Sequence, residues 1–284
     1  MRSPFKYTLT CAVALLSTAQ AQIRPWKAYH GLLQPDFEET VNALEADGYT
    51  PYKLDAFNLN DEVRFGGIWV QTWEEHVEYG FQLNAEQHNK TFTPFITTHS
   101  PKLGPRWLTG YTDAEGEAQF ASIWTSFSPQ ASSVINMTRA ELERKRGDPT
   151  KCGRTIRAIS GYEDNGEARY TVLYNNVNIC GQPRFDLSAA EFWVHHANNT
   201  GTPDCRWRLD SLDAYTMGGE VQFAAVWVGD IDCPTEQVIR LDMTMEELEE
   251  ELDRQLERGF KLQLLSGYAD GDIARYAGMW EYDY

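Results

Sequence analysis

The chain has 284 residues, of which 42% are hydrophobic and 13% aromatic, with a formal net charge of −17. That is enough apolar material to build a core in one or two domains, and it excludes a long disordered polypeptide. The acidity, with no compensating basic patch along the sequence, argues against nucleic acid or an anionic membrane as partner, since either would be repelled; it suits a soluble extracellular protein.

Met1–Ala21 carries Arg2 and Lys6, an apolar run from Leu9 to Leu16 and the small-x-small triplet Ala19-Gln20-Ala21. The pattern reads as a secretory signal peptide, and the run is too short to span a bilayer, so secretion without membrane insertion is expected. Cleavage places the mature start near Gln22. It shifts the formal charge from −17 to −19, because Arg2 and Lys6 leave and no acid does.

Residues 22–284 then read as a single repeat domain of five helix-plus-hairpin units, at approximately 30–72, 83–127, 136–180, 186–233 and 242–284. The first helix is predicted over Pro35 to Ala46, with Phe37, Val41 and Leu44 on one face and Gly48 as its stop. Its hairpin pairs Tyr52 to Phe57 with Val63 to Trp69 across Asn58-Leu59-Asn60-Asp61. The second unit is the least regular: Asn84 caps a short helix before Thr91, and Arg106 to Tyr111 pairs with Ala118 to Trp124 around a longer turn. The third, fourth and fifth helices open on the capping boxes Thr138…Glu141, Ser188…Glu191 and Thr244…Glu247.

The third and fourth hairpins carry the clearest internal repeat. Cys152 to Cys180 and Cys205 to Cys233 align without a gap, matching Tyr162 with Tyr215, Glu167 with Glu220 and Tyr174 with Trp227 at an offset of 53. Across all units the turn aromatics Phe57, Tyr111, Tyr162, Tyr215 and Tyr268 lie 54, 51, 53 and 53 residues apart. Five such units fill the chain after the signal. The fold class is therefore α+β, built from five tandem αββ repeats, and closure around a pseudo-symmetry axis is expected because an open array would leave a bare edge and uncapped ends.

Cys11 leaves with the signal, so four cysteines remain and three pairings are possible. In each repeat copy the two cysteines flank one hairpin, whose ends lie close together. That selects Cys152 with Cys180 and Cys205 with Cys233, each worth about 3 to 4 kcal/mol on the chain-entropy account. Asn89, Asn136 and Asn198 begin Asn-x-Thr sequons, which are glycosylation acceptors in a secreted chain.

The second strand of each hairpin follows one pattern, Arg64-Phe-Gly-Gly-Ile-Trp69 in the first unit and Gln222-Phe-Ala-Ala-Val-Trp227 in the fourth. Alternation puts two aromatics on one face and a small and an aliphatic residue on the other, so both faces are expected to be covered. Arg64, Gln119, Arg169, Gln222 and Arg275 recur at the head of that pattern. They are candidates for a polar ligand-binding ring around the axis, against local pairing with acids such as Glu62, Glu117, Glu167 and Glu220.

Catalytic signals are weak: the sequence holds no nucleophile elbow, zinc-protease motif or phosphate loop. His30, His76, His88, His99, His195 and His196 fit no metal spacing, and adjacent helical residues such as the last two point about 100° apart. No catalytic residue, metal or cofactor is assigned. Glu74, Glu75, His76 and Glu78 form an acid-rich cluster that reads as a solvated loop. Trp193 and Trp207 suggest a sugar platform, although an aromatic recurs at the Trp207 position in Tyr49 and Phe260, which core packing explains.

Gly48-Tyr-Thr-Pro51, the Ser-Gly-Tyr triplets at 160–162 and 266–268, the Gly-containing turns and the Arg/Gln-aromatic-small-x-aliphatic-Trp strand together resemble the bacterial tandem repeat family. Such repeats also form the amino-terminal domain of fungal polyglycine hydrolases, and His30-Gly31 resembles the opening of that repeat. In those hydrolases a β-lactamase-like domain with a Ser-x-x-Lys nucleophile does the chemistry. Here the sequence ends at Tyr284, just after the fifth hairpin, and Ser-x-x-Lys occurs only as Ser3-Pro-Phe-Lys6 within the signal, so the peptidase activity is not expected to carry over. The expected function is a secreted non-catalytic binding or recognition module for an extracellular protein or cell-wall glycan. The alternative is a secreted, peptidase-like hydrolase whose site is assembled from dispersed side chains.

Overall fold

A computed structural model describes residues 25–71, 76–98, 102–126, 131–145, 153–200, 207–229 and 236–282. The signal segment, Cys152, Cys205, Cys233, His99 and the Glu74-Glu75 pair lie outside these described residues. Unit one consists of β1 (Trp26–Leu32), α1 (Gln34–Ala46), β2 (Tyr49–Leu59) and β3 (Glu62–Gln71). Unit two has β4 (Val77–Leu83), α2 (Ala85–Thr97), β5 (Gly104–Thr112) and β6 (Ala118–Thr125). Unit three has β7 (Ser132–Thr138), α3 (Arg139–Lys145), β8 (Gly153–Asp164) and β9 (Glu167–Ile179). Unit four has β10 (Gly181–Leu187), α4 (Ala189–Thr200), β11 (Trp207–Met217) and β12 (Glu220–Gly229). Unit five has β13 (Gln237–Met243), α5 (Met245–Glu257), β14 (Phe260–Asp270) and β15 (Ile273–Tyr282).

The helix-plus-hairpin unit is therefore present five times, with one strand more than the sequence suggested. The strand before each helix returns to pair antiparallel with the second hairpin strand, giving the sheet order β1-β3-β2 and its four equivalents. These outer strands escape a periodicity reading because a two-residue bulge interrupts each of them, as between Tyr29 and Leu32 or Arg184 and Leu187. Pro183 is tolerated in β10 because that strand is the outer edge of its sheet.

Local chemistry sets the other boundaries. The hairpins turn on two residues rather than four in unit one, where Asn60 and Asp61 both have positive φ, as do Asn165-Gly166 and Gly218-Gly219. That geometry matches the right-handed twist of the flanking strands. In unit two the longer loop is held by Asp113, whose Oδ1 accepts from the N–H groups of Glu115 and Glu117. The three expected capping boxes form, and α2 gains a fourth through Asn84 and Gln87. The second helix also runs on past Thr91 and through Pro94. Packing overrides the proline: Phe92 is fully buried and stacks on Trp124 with ring centroids 4.9 Å apart.

Both faces of the middle strands are covered, as their alternation requires. The aromatic face meets the unit's own helix, as in Phe37 on Phe65 at 5.1 Å and Phe192 on Trp227 at 5.6 Å. Between units one joint recurs. The turn aromatic of each unit packs edge-on against the middle-strand aromatic of the unit before it: Tyr111 on Phe65, Tyr162 on Phe120, Tyr215 on Tyr170, Tyr268 on Phe223, and Phe57 on Tyr276. The last pair joins unit five to unit one. The first hairpin strands β2, β5, β8, β11 and β14 lie side by side in that order, and β14 returns to β2, so the five sheets close into a ring.

Candidate functional site

Closure brings equivalent residues of all five units to the axis. Two positions before each turn aromatic stands a polar side chain, Asp55, Thr109, Ser160, Asp213 or Ser266, and all five are buried. A buried polar group needs a partner, and here the neighbouring unit supplies it. Ser160 Oγ accepts from Gly110 N–H at 3.1 Å, Asp213 Oδ2 from Gly161 N–H at 2.9 Å, and Ser266 Oγ from Ala214 N–H at 2.9 Å. Across the closing joint Asp55 Oδ2 accepts from Gly267 N–H at 2.7 Å. Thr109 and Ser160 hydroxyls bond each other at 3.1 Å, and Ser266 donates to Asp213 Oδ1 at 3.3 Å.

The residues between this belt and the aromatics are Ala56, Gly110, Gly161, Ala214 and Gly267, small because the next ring lies over them. A Cβ on Gly161 would sit 2.4 Å from the Tyr215 ring, and one on Gly267 2.3 Å from Phe57. Above the belt the ring holds a cavity of about 410 Å³ that opens to solvent. Its walls are the five turn aromatics and these small residues, with Asp55 and Asp213 reaching it from the belt and Asn58, Thr112, Glu163 and Thr216 nearer the hairpin turns. Among the described residues no lysine, arginine or histidine lines it.

The electrostatics follow from burial. Desolvation pushes the Asp213 carboxyl up to about 7, opposed by hydrogen bonds from Gly161 N–H and the Ser266 and Ser160 hydroxyls. Asp55 is held well above the usual carboxylate range, first by burial and then by the Asp213 charge. The tyrosine hydroxyls turn outward. Tyr111 accepts from Gln82 N–H at 3.0 Å, and Tyr215 accepts from Asp186 N–H at 3.1 Å while donating to Asp186 Oδ1 at 2.7 Å. Burial raises the hydroxyls of Tyr111, Tyr162, Tyr215 and Tyr268 and keeps them protonated.

At the next position facing the same way along β2 and β5, Lys53 Nζ lies 3.4 Å from the centre of the Trp107 ring, and Trp107 Nε1–H donates to Leu54 O at 2.8 Å. Burial lowers the Lys53 ammonium well below its ordinary range, with the Asp210 charge opposing. Arg157 and Arg208 reach Asp210 at 3.1 and 3.6 Å.

The residues singled out from the sequence fall elsewhere. Arg64, Gln119, Arg169, Gln222 and Arg275 pair across the hairpin with the turn aromatics, one strand outward from them, and none lines the axial cavity. Arg64 meets Glu62 at 2.5 Å, Arg169 meets Glu167 at 2.9 Å, Gln119 donates to Asp113 at 2.8 Å and Arg275 meets Asp242 at 3.5 Å, each within its own unit. Asn89 and Asn198 are exposed on α2 and α4, and Asn136 is exposed in the bulge of β7. Cys180 stands between β9 and β10. His76 meets Glu78 at 3.1 Å, while His196 Nδ1 accepts from Trp227 Nε1–H at 3.3 Å. Trp193 is exposed on α4, and Trp207 packs half-buried against the core. Among the described residues no group of three or more His, Cys, Asp or Glu is placed to hold a metal ion, and no helix is long and apolar enough to cross a membrane.

Of the belt residues, Ser160 and Ser266 are singled out in the sequence only as parts of Ser-Gly-Tyr triplets, and Asp55, Thr109 and Asp213 not at all, yet a signal is there. A polar residue stands two before the turn aromatic in every unit.

Comparison with curated proteins finds no match. Comparison with family models finds one, described as a polyglycine hydrolase-like structural repeat, at residues 23–72, 104–126, 129–177, 206–229 and 235–283. Units two and four are matched through their hairpins and the other three through helix and hairpin together. The chain belongs to the polyglycine hydrolase-like structural repeat family.

Proposed function

We propose that this is a secreted, non-catalytic binding module that takes part of an extracellular protein or cell-wall glycan into its axial cavity. The observation that supports it is the cavity itself. Equivalent residues of all five units wall it, and its size falls in the usual range for ligand sites of roughly 300 to 1,000 Å³. In this reading residues 1–21 direct export, Cys152–Cys180 and Cys205–Cys233 staple the third and fourth hairpins, and exposed Asn89, Asn136 and Asn198 carry glycan.

A second reading, a secreted hydrolase, draws on Asp55 and Asp213, since buried carboxyls displaced from their ordinary range mark many active sites. The binding module is preferred because both carboxyls are already engaged in the ring. Each accepts the N–H of a neighbouring unit, as Ser160 and Ser266 do at the same position.

The test is a calorimetric titration of the exported protein with a glycine-rich peptide and a chitin-type oligosaccharide, followed by mass spectrometry of both. Saturable binding with the ligand recovered intact supports the module. Recovery of cleaved ligand assigns the cavity to the hydrolase reading.

A further inference from the structure

We propose that the axial cavity is a site for a protonated primary amine, with Asp55 and Asp213 as its paired acceptors. The proposal rests on reading the protein as a binding module and names the chemistry of the ligand. Its first support is the sign of the lining. The titratable groups on the cavity wall are Asp55, Asp213, Glu163, Tyr111, Tyr162, Tyr215 and Tyr268, all acids, with no basic side chain among them. An anion entering would find no basic side chain to pair with, whereas a cation finds carboxyls that can ionise to meet it and the faces of the aromatic rings.

The second support is that the inter-unit joint does not require an acid. Ser160 and Ser266 accept the neighbouring N–H at 3.1 and 2.9 Å with no charge to desolvate. Burying a carboxylate instead of a hydroxyl costs several kcal/mol unless a cation pairs with it. At two of five equivalent positions, both open to the same cavity, the protein places a carboxyl that must either keep a proton or bear that cost. After the N–H groups of Gly267, Ala56 and Gly161 and the hydroxyls of Ser266 and Ser160, the four carboxyl oxygens retain lone pairs for the three N–H donors of an ammonium group.

The walls suit the rest of such a ligand. The hydroxyls of Tyr111 and Tyr215 are engaged at Gln82 and Asp186, outside the cavity lining. Aromatic side chains beside an ammonium add attraction of about 0.5 to 2 kcal/mol where water is excluded. A volume of about 410 Å³ admits a lysine side chain or one amino sugar.

Proton accounting gives the proposal its signature. Without ligand, burial holds Asp213 at about 7 and Asp55 well above the usual carboxylate range. The facing groups are each other, Glu163 on the wall, whose carboxylate accepts Gly218 N–H at 2.7 Å, the four wall tyrosines, and Tyr276, whose hydroxyl feels the Asp55 charge. An ammonium arriving between the two carboxyls favours their charged forms, so binding expels protons. For a lysine-type amine affinity then rises from about pH 6 to about pH 8, where that amine stays charged, whereas an amino sugar loses its own proton over the same interval and shows the proton release at the lower pH.

The experiment is isothermal titration of the exported protein at about pH 6.5 and about pH 8 in buffers of different ionisation enthalpy. Nα-acetyl-lysinamide and glucosamine represent the two sources of the amine, with their N-acetylated forms as neutral controls. The expected result is that at least one free amine binds at least about tenfold more tightly than its acetylated form, with proton release at the lower pH. Asp55→Asn and Asp213→Asn each weaken it by about tenfold or more, and which amine binds identifies the source. Equal binding of free and acetylated probes, no binding of either amine, or binding without proton release overturns the proposal. Proton release is read on the unaltered protein, so it decides even if a variant fails to fold. Binding of N-acetylglucosamine or of the glycine-rich peptide, with none of the amines, removes the amine and leaves the binding module standing.

Discussion

At Asp213 the cost of burying a carboxylate is met by keeping a proton, and that ties stability to pH with a definite sign. The folded group titrates at about 7 against an ordinary 3.8. Between those values the native state holds a proton that the unfolded chain has released, so this contribution is complete below about pH 4 and is lost as pH rises through about 7. At about 1.4 kcal/mol per pKa unit, the loss is of order 4 kcal/mol for this fully buried group. Asp213→Asn retains an acceptor for Gly161 N–H but cannot ionise. It is expected to match the parent near pH 4 and to exceed it by up to that amount near pH 8, in urea denaturation followed across the range. His30 and His88 act in the opposite direction, since burial lowers both to about 4 and their protonation in the unfolded chain penalises the fold below about 6.5. The difference between variant and parent therefore cancels the two histidines and leaves Asp213 with its charge coupling to Asp55, and a difference that stays flat with pH removes the argument.

The outer strands show how one backbone conformation serves five different side chains. Their bulges each place a residue in the left-handed region: Gly31 at φ 64°, Gln82 at 55°, Asn136 at 54°, Asp186 at 55° and Asp242 at 61°. Gly, Asn and Asp enter that region at little cost, whereas Gln pays about 1 kcal/mol or more. What holds Gln82 there is its backbone N–H, which donates to the Tyr111 hydroxyl; its side chain adds only an exposed bond to Gln34. Gln82→Gly keeps the backbone bond and relieves the crowding, so thermal unfolding should shift upward by an amount worth up to about 1 kcal/mol, and a fall would mean that the Gln34 contact outweighs the backbone. The same bulges explain what the sequence hid. Helices announced themselves through capping boxes and the Phe37-Val41-Leu44 spacing, and hairpins through alternation around Asn-Gly and Gly-Gly. A strand of seven residues broken by a two-residue bulge has no alternation long enough to read. Asp55 and Asp213 were visible as letters, but their partners Gly267 and Gly161 lie in other units, and only closure pairs them.

Closure also decides how the molecule should fail. In an open solenoid each repeat adds one interface, and losing a terminal repeat removes one. In this ring five units share five joints, so losing unit five removes two: the Tyr268 contact with Phe223, and the Phe57 contact with Tyr276 together with the Gly267 N–H bond to Asp55. The remaining three joints would have to support a four-unit arc that exposes Phe57 at one end and Phe223 at the other, now 7% and 2% accessible. It would also leave β2 and β11 as bare inner edges, which invite pairing with other chains. A chain ending at residue 235 is therefore expected to lose the folded monomer altogether, as aggregate or as an unfolded species by circular dichroism and sedimentation. The full chain, by contrast, should unfold in one transition, because no unit can leave without breaking two joints. A four-unit chain that stays monomeric and keeps about four fifths of the native signal would place the stability within the repeats and not in the ring.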